Sequence, residues 1–265
     1  MDLFERSLAT LIESWVYLAA GSPGAEVRRI EGATIATFTH RPDREFLNNA
    51  VLERRPSDLD AALAEIEATY DRHGIERFAV WVHESDAATA AALRDRGYRF
   101  DSATRTMAMP LAPVATAAVD PPSDGDPSTP GDLSAADDLS ALELVEASPA
   151  EFWAVEGPAG LVPGLDPSGA HFYVARLGGE SVAMLMAFDH DGDCGIYMVG
   201  TVEAARRHGI ATALSAHAVT AARERGCLSA SLQATEMAER VYARVGFRDL
   251  GRWEEYVPAE VAAAT

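Results

Sequence analysis

The stretch Arg206-Arg207-His208-Gly209-Ile210-Ala211-Thr212 follows an apolar run over Gly195–Thr201 and opens a helical pattern that reaches Arg225. A helix start presents backbone N–H groups without intrahelical acceptors, together with the positive end of a dipole, and so favours an anion. Gly209 and the small Ala211 let the backbone approach a ligand closely, while Arg206 and Arg207 add charge. On a chain of formal net charge −19, positive charge at a helix start points to a polyanion, with pyrophosphate the natural size. The Arg-x-x-Gly-x-Ala spacing alone is common in a chain rich in Ala and Arg. Arg29-Ile30-Glu31-Gly32-Ala33-Thr34 nearly repeats it where no helix starts.

The motif gains weight from a second constellation downstream, Thr235-Glu-Met-Ala238-Glu-Arg-Val-Tyr242-Ala-Arg-Val-Gly246-Phe247. Together the two segments resemble the Gcn5-related N-acetyltransferases (GNAT). That family reads approximately V-x-P-x-x-[RQ]-x-x-G-x-[GA], then N-x-x-A-x-x-x-Y-x-x-x-G-F. Arg206, Gly209, Ala238, Tyr242, Gly246 and Phe247 match; Thr201, Glu203, Ala211 and Thr235 depart from the commonest residue. The resemblance covers about residues 171–257 and implies acetyl-CoA as co-substrate. It places the pantetheine arm on backbone groups of Val199, Gly200 and Thr201. The pyrophosphate then falls on the N–H groups from Arg207 through His208, Gly209, Ile210 and Ala211 to Thr212. A strand N–H near Met198 or Val199 polarises the thioester carbonyl, and Tyr242 protonates the leaving thiolate. His208 also reads as a solvated loop residue, and Tyr242 as a core residue of an amphipathic helix. No carboxylate or histidine lies within Gly195–Thr201 to act as a base. Asp189, His190, Asp191 and Asp193 precede it in a turn, where Asp is also ordinary turn chemistry.

The elements that must position these residues form two similar series. Helical periodicity predicts helices over Leu3–Ala20, Ser57–His73 (with Ser57 as N-cap) and Ala87–Arg96. Strand-like runs fall at Glu26–Ile30, Ala33–Thr39, Phe46–Leu52 and Phe78–Val82, with another after Gly97-Tyr98. The second series has strands at His171–Leu177, Ser181–Phe188 and Gly195–Thr201, a helix from Gly209, and a strand at Leu228–Leu232. A helix over Glu236–Val245 and a strand after Gly246-Phe247 end it. Between the series, Pro113 to Asp132 is dominated by Pro, Ser, Asp and Gly. The expected fold is therefore α/β, two tandem GNAT-like mixed-sheet folds joined by an acidic Pro-rich linker. Its parts are a degenerate domain over 1–112 without the cofactor motif, a linker over 113–138, and an acetyltransferase domain over 139–265. In the first domain Glu53-Arg54-Arg55-Pro56-Ser57 holds the place of the phosphate loop but lacks glycine, and Pro56 lacks an N–H. Asn48 and Asn49 are candidates for lining an acceptor wall, or else a polar strand edge.

Composition narrows the function classes. Phosphate backbones and anionic lipid repel such an acidic chain, so neither nucleic acid nor membrane is an expected partner. All 22 basic residues are arginine, which excludes lysine Schiff-base chemistry and a Walker-type phosphate loop. The two cysteines, Cys194 and Cys227, have no metal-ligand spacing, and no metal is expected. The N-terminus lacks the basic region of a signal peptide, so a cytoplasmic protein is the expectation. The expected function is acetyl transfer from acetyl-CoA to the amine of a small molecule; a homodimer is compatible with it. The alternatives are acyl transfer to a protein or peptide amine, and a non-catalytic acetyl-CoA sensor or interaction protein.

Overall fold

The computed structural model describes residues 1–43, 47–111, 141–155 and 164–259. Helix α1 (Leu3–Ala20) starts where the Glu5 N–H donates to the Asp2 carboxylate at 2.8 Å and the Asp2 N–H donates to Glu5 at 3.0 Å. This reciprocal cap satisfies two donors that a helix start leaves open. There follow β1 (Ala25–Ile30), β2 (Ala33–Phe38), β3 (Asn49–Leu52), α2 (Leu59–Arg72), β4 (Ala79–His83), α3 (Ala87–Asp95) and β5 (Tyr98–Pro110). The second half runs β6 (Leu142–Glu146), α4 (Pro149–Ala154), β7 (His171–Leu177), β8 (Glu180–His190) and β9 (Asp193–Thr201). It ends with α5 (Ile210–Glu224), β10 (Ser229–Ala234), α6 (Glu239–Val245) and β11 (Arg248–Pro258). The order β-β-β-α-β-α-β thus occurs twice, over β1–β5 and over β7–β11. The short β6 and α4 stand outside the sequence reading.

The halves do not form two self-contained sheets. Among the described residues the strands make one sheet in the order β1-β2-β3-β4-β11-β5-β10-β9-β8-β7-β6. Only β3·β4 and β9·β10 are parallel pairs. Strand β4 takes β11 on its free edge, β10 takes β5, and β5 pairs antiparallel with β11. Each half's last strand therefore completes the other half's sheet, which covers two edges that separate folds would leave open. The linker expected over 113–138 lies outside the described residues, as does Phe46.

Alternating side chains build a core on each face. Ala36 and Phe38 of β2 point to the α1 side, and Ala33 and Ile35 point to the other. Helices α1 and α4 cover the first face; α2 with α3, and α5 with α6, cover the second. Complete burial of Leu63 and Ile66 on α2 is worth about 1.5–3 kcal/mol each. The N-cap of α2 is Asp58 rather than Ser57, whose N–H and hydroxyl donate to Glu31 at 3.0 and 2.9 Å. The β8–β9 turn is tighter than the acidic run suggests. Asp191 and Gly192, at φ 45° and 76°, form it alone, both in the left-handed region that a two-residue hairpin favours. No helix among the described residues is long and apolar enough to cross a membrane.

Candidate active site

Strands β9 and β10 part company within a few residues. They pair at Asp193–Ser229, Cys194–Ala230 and Gly195–Ser231, and no further. Beyond that point β10 still pairs with β5, through Ala234–Arg105, while β9 still pairs with β8. On β9 the register slips so that Met198 and Val199 stand opposite the single Leu185, and Met198 takes φ 51°. Such a bulge bends and twists a strand. Here it lies in the segment where β9 leaves its neighbour, so the edge from Ile196 to Thr201 faces an opening instead of a strand. Val199, Gly200 and Thr201 all stand on that edge.

The opening leads to the start of α5. After Thr201 the chain makes a 3₁₀ turn over Glu203–Ala205, then an extended residue at Arg206. Arg207 and Gly209 follow at φ 68° and 78°. A left-handed arginine is strained, and such strain collects at functional loops. Gly209 is the N-cap of α5 and offers no side chain to its first turn, which also contains no acidic residue. The first main-chain bond is Ala213 N–H to Gly209 O at 3.0 Å. The N–H groups from Arg207 to Thr212 thus have no protein acceptor among the described residues. The Arg206 side chain turns back instead, its Nε donating to Thr201 O at 2.9 Å. It clamps the loop while leaving its guanidinium exposed.

Tyr242 lies on α6, which packs beside α5. Its ring is buried against Phe247, 6.0 Å between centroids, and its hydroxyl has no protein hydrogen-bond partner among the described residues. Burial pushes this phenol up to about 12, so it holds its proton at neutral pH.

Other expectations fail on position. The β8–β9 turn precedes the point where β9 leaves β10, and the Asp193 carboxylate at its end is buried and already held by Ser229 and Ser231. Burial works against the Asp189 charge, yet two Arg225 bonds at 2.7 and 2.8 Å outweigh it and hold its carboxyl below the usual range. Asn48 bonds Phe38 N–H and Arg41 O, and Asn49 accepts from Trp81 Nε1 at 3.1 Å; both are buried structural residues, not an acceptor wall. No group of His, Cys, Asp or Glu among the described residues could hold a metal ion.

The sequence reading missed a set of polar groups on the α1 side of the opening: Tyr197, Gln233, Thr106 and Ser7. Three of them, the Tyr197 hydroxyl, Gln233 Oε1 and Thr106 Oγ1, are buried without partners among the described residues. The signal that could have found Ser7 is its place in an apolar helix with Thr10 and Ser14, at helical spacing.

Residues 136–247 match the model of the acetyltransferase (GNAT) family. No curated protein matches the sequence significantly. Among solved structures, a GCN5-related N-acetyltransferase from Kribbella flavida aligns at TM-score 0.67 and 18% identity, over 97% of this chain and 95% of that one. One from Sphaerobacter thermophilus aligns at 0.56 and 18%, over 96% and 90%. A tandem GNAT protein from the clavulanic acid biosynthesis pathway aligns at 0.54 and 14%, over 95% and 94%. At these identities the superpositions show a shared fold and nothing more. The segment that holds the open β9 edge, the α5 start and Tyr242 is the part that matches the GNAT acetyltransferase family model, within a chain that has the GNAT fold.

Proposed function

We propose that the protein transfers an acetyl group from acetyl-CoA to an amine of a small molecule, using the second half of the chain. The observation that carries this reading is the opening between β9 and β10, which runs into an uncapped helix start. The pantetheine arm lies along Val199, Gly200 and Thr201, pairing with strand groups that β10 leaves free. The pyrophosphate rests on the N–H groups of Arg207, His208, Gly209, Ile210, Ala211 and Thr212, where the helix dipole and two arginines favour its charge. The bulge at Met198 and Val199 turns a backbone N–H toward the thioester oxygen, which gains negative charge during attack. The amine nitrogen forms a bond to the carbonyl carbon as the C–S bond breaks. Tyr242 supplies a proton to the departing sulfur, and the new ammonium loses one to solvent, from which Tyr242 is restored.

The test is thiol release from acetyl-CoA in the presence of a panel of amines. Thiol release that depends on an amine, with acetylated amine as product, is expected. Tight binding of acetyl-CoA with no turnover on any amine would leave a sensor in place of a catalyst.

A further inference from the structure

Helix α1 belongs to the first half, yet it lies across β8, β9, β10 and β5 as well as its own neighbours β1 and β2. The side it turns to the sheet is not wholly apolar. Ser7, Thr10 and Ser14 are at most 2% exposed. Opposite them, the same face of the sheet carries Asp193, Gly195 and Tyr197 from β9, Ser229, Ser231 and Gln233 from β10, and Thr106 from β5. Gln233 and Thr106 are direct cross-strand partners.

Part of this polarity is satisfied internally. Thr10 and Ser14 donate to their own helix carbonyls, Arg6 O at 3.0 Å and Leu11 O at 2.7 Å. Ser229 and Ser231 donate to the Asp193 carboxylate at 2.6 and 2.5 Å, so that charge is occupied. Gln233 Nε2 donates weakly to Ser7 Oγ at 3.4 Å. The remainder is unmet. The Tyr197 hydroxyl stands beside Ser14 without completing a hydrogen bond, and Gln233 Oε1 and Thr106 Oγ1 have no partner among the described residues. Buried polar atoms are nearly always paired, and three neighbouring exceptions call for a common explanation. All three border the place where β9 and β10 separate. The Tyr197 ring also lies back along its own strand, where a Cβ on Gly195 would stand 2.4 Å from it. A glycine at 195 therefore admits the ring and sets the hydroxyl at the base of the opening.

We propose that Tyr197, Gln233 and Thr106 form the acceptor subsite and that the acceptor is a small hydroxylated amine, an amino alcohol. The proposal rests on the acetyl-transfer reading above. The free capacity consists of two hydroxyls and an amide oxygen, all neutral, while the nearby carboxylate is already taken by two serines. Such a site pairs with a hydroxyl beside the amine. A plain alkylamine or the side chain of a protein lysine offers only methylene groups there and leaves the buried atoms unpaired. A site built to hydrogen-bond a hydroxyl rejects the analogue lacking it by far more than an apolar pocket distinguishes one methylene.

The experiment compares kcat/KM for matched amines with acetyl-CoA saturating: 2-amino-1,3-propanediol against 3-aminopentane, glucosamine against cyclohexylamine, and a lysine-containing peptide. The hydroxylated member of each pair is expected to be preferred at least tenfold, with the peptide inert. Tyr197→Phe and Gln233→Met are expected to reduce that preference at least tenfold through KM, with acetyl-CoA affinity by calorimetry and the unfolding temperature unchanged. Equal rates for both members of each pair, no turnover on either hydroxylated amine, or a preference intact in both variants would overturn the subsite. Failure of the wild-type chain to bind acetyl-CoA would instead overturn the cofactor reading beneath it. A purely structural role for these residues would shift the unfolding temperature without moving the preference.

Discussion

Helices α5 and α2 hold the same place in the two halves, each following the third strand of its series and each facing the partner strand across a parallel pair. Their N-termini are occupied differently. At α2 the Ala61 N–H already donates to the Asp58 carboxylate at 2.9 Å, and Asp60 adds a second negative charge in the first turn. Just before it, Glu31 accepts from Ser57 and pairs with Arg54 at 2.9 Å; the Ser57 backbone bond, with Ser57's hydroxyl and Arg54, holds that carboxyl below its usual range. At α5 the cap is Gly209, the first turn holds no acid, and six N–H groups have no protein acceptor among the described residues. One helix start supplies its own anion, and the other has no such partner among the described residues. The absence of glycine and the presence of Pro56 in the first loop point the same way, but occupancy of the N–H groups is the stronger reason.

The comparison breaks most directly at Gly209. Its φ of 78° suits glycine, and a Cβ there meets nothing within 4 Å, so packing tolerates a side chain. Gly209→Glu adds about 1–2 kcal/mol of backbone strain and sets a carboxylate against the phosphates, giving α5 the kind of occupant α2 already has. Acetyl-CoA affinity measured by calorimetry is expected to fall roughly 10³-fold. Arg206→Glu, which also removes the clamp on Thr201 O, acts in the same direction. Unchanged affinity in the folded variants would sink the site.

The next effect concerns chemistry rather than binding. Four residues before the glycine that follows the helix, the first half has Leu93 where the second has Tyr242. Tyr242→Phe keeps the buried ring and removes only the hydroxyl. Turnover is expected to drop roughly 10²-fold with acetyl-CoA affinity nearly unchanged, the scale of a lost proton donor. The pH dependence has a definite sign. Burial raises this phenol from 10.0 to about 12, so the folded state binds its proton more tightly than the unfolded chain does. The associated stability is fully present below pH 10 and is lost as pH rises through about 12. The Phe variant, followed by alkaline unfolding, should lack that component.

How far the two sites are legible in the sequence depends on whether their parts are local. Helix α1, the Arg206–Gly209 loop and Tyr242 all announce themselves through periodicity, a glycine and a spacing. Local chemistry misleads only slightly at Ser57, where the adjacent Asp58 competes for the cap and wins. The exchange of β5 and β11 is not legible, because alternation along a strand tells which face is buried and not which strand lies beside it. Asp193 reads as a turn residue, yet it is 1% exposed and held by serines that lie 36 and 38 residues later. Tyr197, Gln233 and Ser7 meet only because α1 crosses to the second half. Leu142–Glu146 is too short to stand out as a strand, although Ser148-Pro149 is a legible start for α4.

A smaller effect tests the α2 side of the comparison. Asp58→Ala removes the cap and should lower stability by about 1 kcal/mol, visible as a lower unfolding midpoint. It frees the N–H of Ala61, but Asp60 and Glu31 remain. Acetyl-CoA binding should therefore stay at one equivalent per chain. A second equivalent appearing in this variant would mean that the cap alone separates the two helix starts.

The smallest expected effect is the most discriminating. Strands β3 and β4 also part, after Val51–Trp81, and a cavity of 260 Å³ lined by Phe4, Glu53, Arg54, Arg55, His83 and Trp253 lies beside their ends. If charge and space were sufficient for cofactor binding, this cavity would compete. Arg54 is already paired with Glu31 and is largely exposed, so an anion would have to displace a carboxylate from it. Exposed pairs of that kind contribute little to stability, and Arg54→Ala should leave folding almost unchanged. Titration with acetyl-CoA is expected to give one site per chain, insensitive to Arg54→Ala and abolished by Gly209→Glu. A stoichiometry of two, or a single site lost with Arg54→Ala and kept with Gly209→Glu, would reverse the roles of the two helices. It would then follow that an arginine-lined cavity outweighs open N–H groups in choosing where the pyrophosphate sits.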